Sequence, residues 1–163
     1  MSNFDRLISI MARLRSPSGC PWDKEQTHQS LKPYLVEETY EVLDAIDQNN
    51  DDEIVEELGD LLLQVVFHSQ IANEEKRFTI DDVAATISDK LIRRHPHVFG
   101  NVQADTPDEV VKNWEIIKAG EKPGPKASLL DGIPRHLPAL FRAQRLQEKA
   151  ARVGFDWDNI ADV

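Results

Sequence analysis

Cysteine is nearly absent: Cys20 is the only one in 163 residues. A single thiol excludes an internal disulfide framework and most cysteine-based metal sites. Long apolar runs are missing too, so no stretch is expected to span a membrane. The opening MSNFDRLISIMARLR has charges scattered through it and no signal-peptide core, which makes a cytoplasmic protein the simplest expectation. Basic residues are the scarcer charge, 19 Lys and Arg against 29 Asp and Glu, for a net charge of −10 and a pI near 4.9. Such a field repels nucleic acid and anionic membranes, so neither is expected as a partner. A free nucleotide is also an anion and would need metal ions and a few placed Lys or Arg side chains to bind. What is present, 40% hydrophobic residues, suffices for one compact domain, or one domain with an appended segment.

The organising stretch is VEETYEVLDAIDQNNDDEIVEELGD, beginning at Val36. Glu38 and Glu41 are three apart, as are Glu57 and Asp60, and residues three apart share a helix face. Between the pairs, Asp47 to Asp52 reads DQNNDD, a composition that stops helices and makes turns. The segment reads as an antiparallel helical hairpin turning near Asn49 and Asn50. Counted outward at about 1.5 Å per residue, Glu41 matches Glu57 in height and Glu38 matches Asp60. If both pairs face inward, four carboxylates meet. Uncompensated, they would raise one another's pKa, and a divalent cation removes that cost. An all-oxygen donor set points to Mg²⁺, with Mn²⁺ as a substitute, and hence to phosphate chemistry. The alternative is an ordinary solvated acidic face. Against that stand Leu35, Val42, Leu43 and Ile46 with Ile54, Leu58, Leu61, Leu62, Val65 and Val66, which put the acids beside the core. The residues three after Glu38 and Glu57 are acids and not His, which disfavours a redox di-iron bundle.

Elsewhere the chain reads as helices and connections. Phe4, Leu7, Ile8, Ile10, Met11 and Leu14 make an amphipathic stripe, ended by Ser16-Pro17-Ser18-Gly19. In the loop Cys20 to His28, Trp22 is either a plug over the bundle end or a surface that stacks on a base. Cys20 reads as a small packing residue. Pro33 suits the first turn of the next helix, which runs to about Gln48, and Asp51 or Asp52 caps its partner, which runs through a half-buried His68 to about Asn73. Thr79 with Asp82 starts another helix, with Val83, Ile87 and Leu91 on its stripe and Lys90 and Arg94 four apart on one side. In His95-Pro96-His97 the proline is expected to hold an extended geometry, which argues against a metal pair and leaves phosphate contact or loop anchoring. Thr106-Pro107-Asp108-Glu109 opens a helix that ends by Gly120. Residues 121–136 read as a linker, and a last helix runs from about Leu137 to Val153.

The runs GCPWDKEQTHQSL, EETYEVLDAI, EELGDLLLQVVFHSQ, SDKLIRRHPHVF and GFDW together resemble the MazG family of all-α nucleoside triphosphate pyrophosphohydrolases. The resemblance covers nearly the whole chain. It implies that the loop with Trp22 and Gln26 adjoins a nucleotide, and that Lys90, Arg94, Trp114 and Lys118 contact it. It also implies hydrolysis of nucleoside triphosphates to the monophosphate and pyrophosphate with loose base preference. Glu38, Glu41, Glu57 and Asp60 would hold Mg²⁺, and Glu37 or Glu56 would serve as general base. An echo of the first helix and its Trp-Asp, ending in Gly154-Phe155-Asp156-Trp157-Asp158, resembles the opening of a second tandem unit. The expected organisation is residues 1–120 as the catalytic domain, 121–136 as linker and 137–163 as the start of an incomplete second unit. The expected fold is an all-α bundle of four or five helices around the acidic hairpin. Apolar stripes on so thin a domain, and the resemblance, both point to a homodimer. The competing reading is a weakly catalytic nucleotide- or metal-binding dimerisation module.

Overall fold

A computed structural model describes residues 1–121, 132–151 and 154–155. It falls into two compact units, Met1–Asp105 and Thr106–Val163. Among the described residues every regular element is helical.

The first unit is built on a long helix. In order it contains α1 (Asn3–Leu14), α2 (Pro21–Glu25), α3 (Lys32–Gln48), α4 (Asp51–Glu74), α5 (Ile80–Arg94) and α6 (Pro96–Phe99). α4 packs against α1, α3 and α5. Its buried Val66, Phe67 and Ile71 form the core with Met11 of α1 and Leu31, and Leu7, Ile8, Leu14, Leu63 and Ile80 pack around them. Only part of the α1 stripe is used: Phe4 and Ile10 face solvent. The helix is nonetheless sharply started, because Ser2 Oγ accepts from the Asp5 amide at 3.1 Å and the Asp5 carboxylate accepts from the Ser2 amide at 2.9 Å. That reciprocal pair satisfies two of the donors a helix start leaves unpaired.

The acidic hairpin forms where its turn residues predict. Asn49 closes α3 in the left-handed region at φ 53°, which asparagine tolerates better than most residues. The Asn50 amide then donates to Ala45 O at 3.3 Å, a helix-ending pattern that satisfies an orphan carbonyl. Asn50 caps α4 by accepting from the Glu53 amide at 3.5 Å. The cap therefore falls one residue earlier than predicted. Asp51 and Asp52 occupy the first turn, where their charge still favours the helix dipole.

Two connections differ from the sequence reading. The Cys20–His28 loop contains the short helix α2, with Pro21 in its first turn. Pro96 does not hold an extended stretch. It opens α6, because a proline at the first helical position gives up an amide that has no partner there anyway. Before α2 the chain turns tightly at Gly19, where a Cβ would strike the carbonyl oxygens of Leu14 and Arg13.

In the second unit, α7 (Pro107–Gly120) has Thr106 as its cap, with Glu109 completing a capping box. α8 (Ala139–Ala151) begins two residues later than expected. Most of the expected linker, the end of the last helix at Val153 and the Asp156-Trp157-Asp158 echo lie outside the described residues.

Candidate metal and nucleotide site

The hairpin brings three acids together. One carboxylate oxygen each from Glu38, Glu41 and Glu57 lie within 4.8 Å of one another. Glu38 and Glu57 are half-buried and Glu41 is exposed. Asp60 stands outside that tight triad, although it acts on it. Glu38 is pushed above its ordinary carboxyl pKa first by burial and then by the charge of Asp60, followed by Glu41. Glu57 is raised by the same causes, burial first, then Glu41 and Asp60. The charges acting most strongly on these two acids are thus other carboxylates. The cluster favours taking up positive charge, and its oxygen-only donor set fits a hard divalent cation.

The remaining predicted residues are distributed around this triad. Glu37 and Glu56 are exposed, and Glu56 lies close enough to raise Glu57. Trp22 is not a plug, since half of its surface is accessible. Its ring meets Tyr34 edge-on, centroids 5.9 Å apart, and Tyr34 precedes Glu38 by one turn of α3. Gln26 braces the loop: its Nε2 donates to Trp22 O at 3.0 Å and its Oε1 accepts from the Ser30 hydroxyl at 2.7 Å. Lys90 and Arg94 are half-buried on α5, and Lys90 lines a shallow depression with Phe78, Asp82, Val83, Thr86 and Ile87. In the second unit, Lys118 Nζ lies 4.6 Å from the centre of the Trp114 ring and 3.7 Å from Glu115. The two side chains are presented together, as their spacing predicts. His95 donates through Nδ1 to Leu91 O at 2.6 Å, which anchors the end of α5.

Several polar residues had no readable signal in the sequence. His68, expected to be half-buried, meets His28 with Nδ1 atoms 2.8 Å apart. Arg15 joins α1 to Glu74 across 59 residues of chain. Gln64, one turn beyond Asp60 on α4, is 5% exposed and its Oε1 has no hydrogen-bond partner. Its position four after Asp60 was the one clue available, because it continues the face that carries the acids.

Residues 26–99 match the MazG nucleotide pyrophosphohydrolase domain, a span that holds α3, α4, α5 and α6. The chain is 59% identical over 154 residues to the nucleoside triphosphate pyrophosphohydrolase/pyrophosphatase MazG of Thermotoga maritima, covering 94% of this chain and 59% of that protein. It is 56% identical over 166 residues to the nucleoside triphosphate pyrophosphohydrolase of Escherichia coli K12, covering 100% of this chain and 63% of that one. The chain thus spans about three fifths of the length of these curated relatives. Among solved structures it is similar to a mazG-related protein from Thermotoga maritima, with a TM-score of 0.59 and 26% identity over 71% of this chain and 98% of the other. With the all-helical fold and the acidic hairpin inside the matched span, these similarities place the chain in the MazG family.

Proposed function

We propose that this protein hydrolyses nucleoside triphosphates to the nucleoside monophosphate and pyrophosphate in the presence of Mg²⁺. The observation that carries the reading is the meeting of Glu38, Glu41 and Glu57 oxygens within 4.8 Å across the α3–α4 hairpin, with Asp60 beside them. These four residues would hold the metal. When bound, a divalent ion there supplies charge neutralisation on phosphate oxygens and a more acidic water. Mn²⁺ is the expected substitute, because it accepts the same oxygen donors.

The chain's own residues divide the remaining work. Glu56 or Glu37, exposed beside the triad in sequence, orients the attacking water and takes its proton. Lys90 and Arg94 offset phosphate charge from α5. Trp22 offers its accessible ring to a base or sugar, a contact any base can make, so base preference is broad. Gln26 holds that ring's backbone in place. Trp114 and Lys118 are assigned to the nucleotide by their motif, with residues 1–120 as the working domain, 121–136 as linker and 137–163 as the start of a further unit.

The protein is further proposed to work as a homodimer in the cytoplasm. Val36, Tyr40 and Leu43 of α3, and Val55, Leu58, Leu62 and Val65 of α4, recur at helical spacing and are all substantially exposed. Apolar stripes of that kind are what a second copy covers. No described helix is long and apolar enough to cross a membrane. With a net charge of −10, binding to nucleic acid is not part of the proposal.

Incubation with several nucleoside triphosphates and Mg²⁺ tests the reaction. Monophosphate and pyrophosphate are expected, and orthophosphate in their place rejects the assigned cleavage position. Binding of a nonhydrolysable triphosphate without turnover would instead identify a binding module. Light scattering tests the assembly: a dimer for the native chain and a monomer for Leu58→Glu/Leu62→Glu.

A further inference from the structure

Every nitrogen of the Arg15 guanidinium has a hydrogen-bond partner. It follows the last residue of α1, and its side chain is only 7% exposed. Nε donates to both oxygens of Glu74 at 3.0 and 3.1 Å, and Nη2 donates to Glu74 Oε2 at 2.8 Å. Nη1 turns the other way and donates to the backbone carbonyls of Asp23 and of Gln26, the latter at 3.2 Å. The guanidinium carbon lies 5.5 Å from the centre of the Phe67 ring, so the cation also rests on the core. Glu74 is held from a second side by Gln70 Nε2 at 2.9 Å, and its carboxyl is drawn below the ordinary range, chiefly by the Arg15 hydrogen bonds.

The carbonyls of Asp23 and Gln26 terminate α2. A helix of five residues cannot hold itself together, and the α2 cap residue Cys20 makes no side-chain hydrogen bond to its start. What fixes α2 is therefore largely tertiary: Arg15 connects its end directly to α4, and the His28–His68 pair ties down the turn that follows. α4 is also the helix that carries Glu57 and Asp60. α2 in turn carries Trp22, whose half-exposed indole meets the half-exposed ring of Tyr34 one turn before Glu38. Two aromatic rings kept partly in water, one of them a helical turn from Glu38, serve a ligand better than a core. A nucleotide has both an aromatic face and phosphates to satisfy them.

We infer that Arg15 is a positioning residue for nucleotide binding. By bracing the end of α2 against Glu74, it holds Trp22 and Tyr34 as a platform for the base of a nucleoside triphosphate beside the carboxylates. The inference rests on the reading of the site proposed above. Arginine is required because the task needs a planar fork reaching a carboxylate on one side and two carbonyls on the other, which a lysine ammonium cannot span.

The test compares Arg15→Lys, Glu74→Gln and Trp22→Leu in the full chain, at a temperature where circular dichroism shows native helix content. Steady-state kinetics with a nucleoside triphosphate and Mg²⁺ are joined to ¹⁹F NMR of 5-fluorotryptophan-labelled protein, with the Trp22 resonance assigned by its loss in Trp22→Leu. Arg15→Lys and Glu74→Gln are expected to raise KM about 5- to 20-fold with kcat within about twofold, and to shift or broaden the Trp22 resonance. A merely structural role would lower thermal stability and leave KM and that resonance in place, which overturns the inference. Trp22→Leu raising KM while the other two variants do not also overturns it, with the nucleotide-contact reading intact. Trp22→Leu leaving KM unchanged while Arg15→Lys moves the resonance overturns the nucleotide-contact reading, and the inference with it. If Arg15→Lys does not fold, Glu74→Gln alone decides.

Discussion

His28 and His68 meet edge to edge with nearly parallel ring planes, centroids 5.0 Å apart at 6°, and their Nδ1 atoms lie 2.8 Å from each other. Arg77 Nη2 lies 2.5 Å from His28 Nε2. An arginine can only donate, so Nε2 of His28 accepts, its proton sits on Nδ1, and Nδ1 of His68 accepts in turn. The pair pins the turn after α2 onto α4.

Acid should loosen that pin. His68 is held below its ordinary pKa of 6.5 by burial first and by His28 second. The unfolded chain therefore binds a proton at a pH where the folded chain does not. This contribution to stability is complete above about pH 6.5 and falls as pH drops through that value. Thermal unfolding at pH 7.5 and pH 5.5 checks it: the native chain should melt lower at the acid pH, and His68→Asn should show a smaller difference between the two.

The triad behaves oppositely. Glu57 lies above its ordinary pKa, through burial and the charges of Glu41 and Asp60. Above that pKa the folded state carries an unfavourable repulsion, which is relieved as pH falls. Without metal, Glu57→Gln is expected to melt no lower than the native chain. Mg²⁺ should raise the melting temperature of the native chain and raise that of Glu57→Gln much less. Equal shifts in both proteins would remove Glu57 from the metal set.

Turnover should track the same residues. Loss of a group that merely supports a metal ligand costs about 10- to 100-fold. Glu41→Gln and Asp60→Asn should each reduce Mg²⁺-dependent pyrophosphate release by at least about 100-fold, with far-ultraviolet circular dichroism unchanged. Undiminished turnover by Asp60→Asn would confine the metal to the three acids that meet most closely.

Gln64 has a buried oxygen without a partner, and an unsatisfied group of that kind costs about 1–3 kcal/mol. Methionine keeps the length and removes the unmet acceptor. Gln64→Met is expected to raise the urea midpoint of the folded chain. A lower midpoint would mean that the side chain is satisfied in solution.

Lys76 sits at φ 56°, with the Arg77 amide donating to Ala72 O at 2.9 Å just past the end of α4. Left-handed backbone costs an L-residue with a Cβ about 1–2 kcal/mol. Lys76→Gly should stabilise by up to about 1 kcal/mol in chemical denaturation, less than the full strain because glycine also loses more chain entropy on folding. Asn49→Gly should change stability less, since asparagine already tolerates this conformation.

Much of the helical order was readable along the chain. Thr79 with Asp82 and Thr106 with Glu109 announce their helices because a cap acts over three residues. Asn49 and Asn50 mark the hairpin turn, and the equal distance of Glu41 and Glu57 from it foretells their meeting, because helical rise is regular; the same count paired Glu38 with Asp60, whereas the close group is Glu38, Glu41 and Glu57. Pro96 was misread for a local reason: the same ring can end one helix and begin another, and only the residues after it decide which.

The sequence by itself determined the longer helices, the acidic hairpin and the resemblance that names the family, since all three depend on periodicity and on order along the chain. Only the tertiary structure decided that Asp60 stands beside the triad, that Trp22 meets Tyr34 in the open, and that Arg15 reaches Glu74 and His28 reaches His68. Those pairings join residues up to 59 positions apart. They depend on how α1, α2 and α4 pack, and side-chain packing leaves no period in the sequence from which partners could be read.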